Sequence, residues 1–321
     1  MDLVVIGNGF DIAHGLKSKY SDFMEYLLTL EKKSEMIAIG LYTINSISEY
    51  DQLKLNTYNK LEKYILEQDL WSNLEEALGM LDYEQLEVDN SGYFLGYGDE
   101  KWRDSANHDY QDMIKENLNF TDDLNKQFIN WIKIVETEVN PICKMPEIVK
   151  ASNIYLNFNY TSTLEKVYSI PENKINYIHG KANRGEKLIL GHHNNSYWTK
   201  NDISKMTGDE YAAYLEYQHE RDFRDIEAEE VIKAYFKRTY KDTKAIIETQ
   251  KSFFTSLIHV ENIFVLGHSL SEIDYDYFEE ISYSISNSCK WFISYYSNDD
   301  NERAIKLMEK LCVNDYCLFK I

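Results

Sequence analysis

The sequence predicts an α/β fold in which a parallel sheet, buried on both faces, is interrupted by long helical insertions. Three observations predict it. Apolar runs of strand length recur along the chain, among them Leu3-Val4-Val5-Ile6 and Ile263-Phe264-Val265-Leu266. They are continuous rather than alternating, as strands covered on both faces are. Between them, apolar residues fall at helical spacing. The segment after each run is rich in Gly, Asn, His and Ser, a composition that stability alone does not require.

The first run ends in Gly7-Asn8-Gly9-Phe10-Asp11, with Gly15 beyond. A Gly-x-Gly turn between strand and helix lets the backbone turn tightly and offers free N–H groups to phosphate oxygens. Ile12 stands where the full dinucleotide fingerprint has its third glycine. From about 17 to 150 the pattern is helical. Phe23, Tyr26 and Leu27 share one helix face, as do Leu61, Tyr64 and Ile65, and Phe128, Trp131, Ile132 and Val135. The stretch 91–110, with Gly92, Gly96 and Gly98, reads as a surface loop. Strand character returns at 154–158, 175–178 and 188–190. A second helical block covers about 209–259, with Ile232, Tyr235, Phe236 and Tyr240 on one face. Strands at 263–266 and 291–295 follow, separated by a helix at 273–285. The domain reading is a core of 1–16, 151–195 and 260–321, with helical insertions at 17–150 and 196–259.

Composition narrows the function. At 321 residues and 44% hydrophobic, the chain can bury a large core. A formal net charge of −20 argues against a protein that coats nucleic acid or an anionic membrane, since lysine and arginine hold both. No apolar run approaches the roughly 20 residues that span a bilayer. No basic n-region precedes the first strand, so a cytoplasmic protein is expected. Cys143, Cys289, Cys312 and Cys317 form no Cys-x-x-Cys pair, which indicates neither a zinc ribbon nor a disulfide framework.

Ligands of open parallel sheets bind at the carboxyl ends of the strands. The tails there read Gly7 to Asp11, Asn159-Tyr160-Thr161, His179-Gly180, Gly191-His192-His193-Asn194-Asn195 and Gly267-His268-Ser269. Four blocks carry a family resemblance: Gly-Asn-Gly-Phe-Asp from 7, Asn-Phe-Asn-Tyr-Thr from 157, Ile-His-Gly from 178, and Leu-Gly-His-Ser-Leu-Ser-Glu-Ile-Asp-Tyr-Asp from 266. Together they resemble the bacterial AbiH family, named for abortive infection of phage. More distantly, they resemble the NAD-binding core of sirtuins and sirtuin-like NAD hydrolases. That resemblance implies a Rossmann-like, sirtuin-like core with NAD as substrate. Gly7, Asn8, Gly9, Phe10, Asp11, Gly267, His268 and Ser269 would bind it, and Asn159 and His179 would act on it. The sirtuin deacylases have an acidic residue where Thr161 stands and a four-cysteine zinc module that this chain lacks. Hydrolysis of the nicotinamide N-glycosidic bond is the activity that remains, with no metal expected.

The residue chemistry fits. Nicotinamide leaves as a neutral group, and a neutral imidazole at His179 can take a proton from water or a ribose hydroxyl near pH 7. The Asn159 amide can donate and accept, which suits it to orient them. Asp11 is awkward beside phosphate and is placed as a helix cap or a ribose contact. Core or turn-forming roles for His179 and Asn159 stay open. So do two other functions: a non-catalytic nucleotide-sensing module, and a metal-dependent nuclease or phosphohydrolase using Asp11, His192 and His193. Asp274 and Asp276 read as first-turn helix residues. An always-active NAD hydrolase would kill its host, so the insertions are expected to build a homo-oligomer or answer a phage-derived trigger.

Overall fold

The computed structural model describes residues 1–44, 57–66, 70–138, 145, 147–199, 204, 206–286 and 288–320. Cys143 lies outside them. Six strands form one sheet: β1 (Leu3–Ile6), β2 (Ile154–Asn157), β3 (Ile175–Tyr177), β4 (Asn262–Leu266), β5 (Lys290–Tyr295) and β6 (Tyr316–Lys320). Their order is β3-β2-β1-β4-β5-β6, and every pairing is parallel. The α/β class with a parallel sheet is therefore as the sequence predicts.

Alternation along β1 explains its unbroken apolar run. Leu3 and Val5 enter one core with Ile263, Val265, Trp291 and Ile293, while Val4 and Ile6 enter the other with Tyr155, Ile175, Tyr177 and Leu266. Both faces are dry, so no position of β1 tolerates a polar side chain. Four helices matter to the site: α1 (Asn8–Ala13), α2 (Thr163–Tyr168), α3 (Tyr275–Ser284) and α4 (Asn298–Lys310).

Two strand expectations need correction. Residues 188–190 are irregular chain, not a strand. Ile189 donates its amide to the His179 carbonyl (2.9 Å) and accepts from the Tyr160 hydroxyl (2.8 Å), so loop contacts hold it in place of a ladder. In the other direction, β6 was not anticipated. It is an edge strand with every residue at least partly exposed, although Tyr316-Cys317-Leu318-Phe319 is a continuous apolar run.

The chain divides into two compact units. The first comprises 1–23, 128–190 and 242–321 and contains the sheet. The second comprises 24–127 and 191–241 and is mainly helical. Within the second, helix Phe223–Thr239 supplies Tyr235, whose buried hydroxyl donates to the Leu78 carbonyl (2.8 Å). Arg224 lies over the Phe94 ring (3.8 Å) and donates to the Leu95 carbonyl (2.7 Å). Lys241, fully buried, is neutralised by Glu75 at 3.0 Å. Among the described residues, no helix is long and apolar enough to cross a membrane.

Candidate functional site

The winding of the sheet reverses at β1: the chain builds outward to β3, then returns to β4 on the other side. At such a switch point the connections diverge and leave a crevice at the carboxyl ends of the strands. Here the turns after β1 and β4 meet backbone to backbone. Gly7 donates its amide to the Leu266 carbonyl (3.0 Å), and Gly9 donates to the Gly267 carbonyl (2.7 Å). A Cβ on Gly7 would lie 2.4 Å from the His268 Cα, and one on Gly9 would lie 2.9 Å from the Gly267 Cα. Gly267, at φ +63°, would place a Cβ 2.1 Å from the Phe10 nitrogen. Three of the residues assigned to phosphate contact are thus glycine because two turns cross there. The Phe10 amide donates to the Gly7 carbonyl (3.0 Å), so the first-turn amides of Gly9 and Phe10 are both spent within the protein.

Asn8 closes a neighbouring loop. Its amide donates to the Ser18 carbonyl (2.8 Å) and its oxygen accepts from the Ser18 hydroxyl (2.6 Å). Phe10 is a core side chain packed on His14, their rings 4.3 Å apart. His14 in turn meets the Phe10 carbonyl (2.7 Å) and the Tyr168 hydroxyl (2.8 Å).

Asp11, at 1% exposure, makes no N-cap bond. It accepts from the hydroxyls of Thr161 (2.6 Å) and Thr163 (2.7 Å), which ties α1 to the loop after β2. Burial pushes its carboxyl up to about 6, against the pull of Thr161, Thr163 and Asn159, with Glu136 adding repulsion. An acid whose pKa is raised on folding holds its proton more tightly folded than unfolded. Its contribution to stability is full at low pH and is lost as pH rises from near 3.8 through about 6. Asp11→Asn removes that dependence. Relative to wild type, the variant is expected to gain on the order of 2 kcal/mol between pH 4 and pH 7.5, measured by denaturant titration at each pH. A constant difference would mean that Asp11 ionises as an exposed acid does.

In the loop after β2, Asn159 is buried. Its backbone amide donates to Asn157 Oδ1 (3.0 Å), a local turn of the kind asparagine favours. Its side-chain Nδ2 crosses to the Gly7 carbonyl (3.0 Å), so it reports directly on the β1 turn. His179, at 3% exposure, follows β3. Its ring sits against Phe158 (5.2 Å) and Tyr277 of α3 (5.6 Å). His268 packs edge-on against the same Phe158 ring at 4.4 Å. Phe158 thus brings the two histidines, from different strand ends, onto one aromatic group.

The His268 Nδ1 accepts the Leu270 amide (2.9 Å), so its proton resides on Nε2, which faces Asp274 Oδ2 at 3.6 Å. Leu270 is buried at φ +53°, a left-handed conformation held by the packed turn around it. Ser269 is exposed and its carbonyl accepts from Arg303 Nε of α4 (2.8 Å). Gly267 donates its amide to Ser294 Oγ (2.8 Å).

The remaining histidine pair belongs to the second unit. His192 is fully buried, accepts the Asn194 amide at Nδ1 (3.1 Å) and meets Thr239 Oγ1 through Nε2 (3.2 Å). Burial pulls its pKa down to about 4. His193 stacks on Tyr240 at 5.6 Å. Among the described residues, no three His, Cys, Asp or Glu side chains are grouped so as to hold a metal ion.

Several participants were missed. Glu136 is buried and accepts the amide (2.6 Å) and hydroxyl (3.1 Å) of Ser162, and pairs with Lys166 (3.2 Å). Thr161 and Thr163 carried a signal, a hydroxyl run directly before a helix. Glu136 carried none, because one acid after a long helix resembles any other.

The family model for bacteriophage abortive infection AbiH proteins matches residues 3–295 of this chain. No curated protein and no solved structure matches it.

Proposed function

The chain belongs to the bacteriophage abortive infection AbiH family, and we propose that it serves phage defence by hydrolysing NAD to nicotinamide and ADP-ribose. Family membership supports the role in abortive infection. The observation that carries the nucleotide reading is the switch point: the order 3-2-1-4-5-6 is that of dinucleotide-binding doubly wound sheets. This supports a Rossmann-like reading of the core, and the sirtuin-like one rests on the sequence blocks.

In the reaction, a water oxygen bonds to C1′ of the nicotinamide ribose and the C1′–N bond breaks. Its electron pair stays on the nicotinamide nitrogen, and the water proton passes to His179. With Nδ2 of Asn159 on the Gly7 carbonyl, Oδ1 of the same amide is the atom to orient water or a ribose hydroxyl. Two observations favour a second reading. His179 is 3% exposed and Asn159 Nδ2 already has a protein partner, as in a module that binds a nucleotide without turning it over.

Purified full-length protein, incubated with NAD over a range of protein concentrations, distinguishes these readings. Release of equal nicotinamide and ADP-ribose, undiminished by EDTA, is the expected result. NAD bound but intact at every concentration would replace hydrolysis with sensing. Activity per molecule that rises with protein concentration would support a homo-oligomer as the working form.

A further inference from the structure

The loop after β2 and the first residue of α2 present three consecutive hydroxyls, Thr161-Ser162-Thr163, and they divide between two buried acids. Thr161 and Thr163 donate to separate oxygens of Asp11, at 2.6 and 2.7 Å. Ser162, between them, gives its amide and hydroxyl to Glu136. Both acids are under 4% exposed and come from different helical segments. Burying carboxylates is costly, and an apolar plug would hold a loop that needed only to be covered. Gripping alternate residues with two separate acids does something else: it fixes the loop along its length. Two residues upstream lies Asn159, whose carboxamide spans to the Gly7 carbonyl.

We propose that Asp11 is a positioning residue that sets the Asn159 carboxamide, by direct contact and through the hydroxyls of Thr161 and Thr163, with Glu136 bracing the loop at Ser162. The proposal rests on the NAD-hydrolase reading and deepens it. It moves Asp11 from a ribose contact to a group that acts through the loop.

The test compares three full-length variants: Thr161→Val with Thr163→Val, Thr161→Ser with Thr163→Ser, and Asp11→Asn. Nicotinamide release gives kcat and KM, and hydrogen–deuterium exchange follows the peptide spanning 157–164. The valine pair is expected to lower kcat at least about tenfold while KM stays within about threefold, and the serine pair to restore it. Asp11→Asn, which keeps size but loses one acceptor, is expected to fall between. Exchange at 157–164 is expected to quicken in the valine pair while β1 and β4 peptides keep their protection. A raised KM at unchanged kcat would overturn the proposal, because hydroxyls that touch ribose directly would behave so. So would unchanged exchange at 157–164. Should wild type release no nicotinamide, the functional reading falls by itself, and the exchange result then supports or overturns the clamp alone.

Discussion

Gly267→Val is expected to yield no folded protein, and Gly267→Ala to lose more than about 3 kcal/mol, from left-handed backbone strain and overpacking together. The first contribution arises at φ +63°, where a Cβ crowds its own carbonyl. The second is larger because the obstacle cannot move aside. The Cβ would stand 2.1 Å from the Phe10 nitrogen and 2.5 Å from the Gly9 carbonyl carbon, both backbone atoms of the turn that follows the central strand. Gly185 separates the two effects. It sits at φ +72° with nothing within 4 Å of its Cβ, so Gly185→Ala is expected to cost only about 1–2 kcal/mol of backbone strain. Denaturant unfolding of both alanine variants measures the difference. If Gly267→Ala is no worse than Gly185→Ala, the β1 and β4 turns do not meet as described.

The same crossing shows how far the sequence could be read. The interior strands were legible because a strand between two dry faces excludes polar residues at every position, as β1 does with Leu3, Val4, Val5 and Ile6. That signal is incomplete at the β6 edge, where Tyr316 to Phe319 form an apolar run yet every residue is partly exposed, Cys317 and Lys320 the most. It misleads at 188–190, where Leu188 is buried as loop packing and Ile189 is held by the His179 carbonyl and the Tyr160 hydroxyl without any ladder.

In the site, residue types were legible and partnerships were not. Gly7 and Gly9 announced a tight turn, but their need for glycine comes from Gly267, which only the strand order brings alongside. Asp11 looked misplaced beside a phosphate. Its oxygens are turned inward to Thr161 and Thr163, about 150 positions along the chain, and no local periodicity encodes such a pair. Phe158 was legible only as an apolar residue after a strand. Its service as the shared surface for His179 and His268 depends on β2 lying between β3 and β1, with β4 one strand further on.

Truncating His179 is the sharpest test of the proposed chemistry. His179→Ala is expected to lower NAD turnover by roughly 10² to 10⁴, the usual worth of a positioned acid–base group, while NAD binding persists. The imidazole also packs against Phe158 and Tyr277 in a buried setting, so its removal opens a cavity and the melting temperature falls as well. Turnover must therefore be expressed per folded molecule. Asn159→Ala carries a parallel expectation. It removes one of the two donors to the Gly7 carbonyl, leaving only the Phe10 amide, and is expected to cost a similar factor in kcat. If both side chains serve one water or ribose hydroxyl, the double variant should lose less than the product of the single losses, because the second truncation removes a group whose partner is already gone. Independent packing defects behave differently: their stability losses add, and activity follows the folded fraction alone. A His179→Ala protein that melts early yet keeps its turnover per folded molecule would show that the imidazole is held for packing on Phe158, and that the base lies elsewhere.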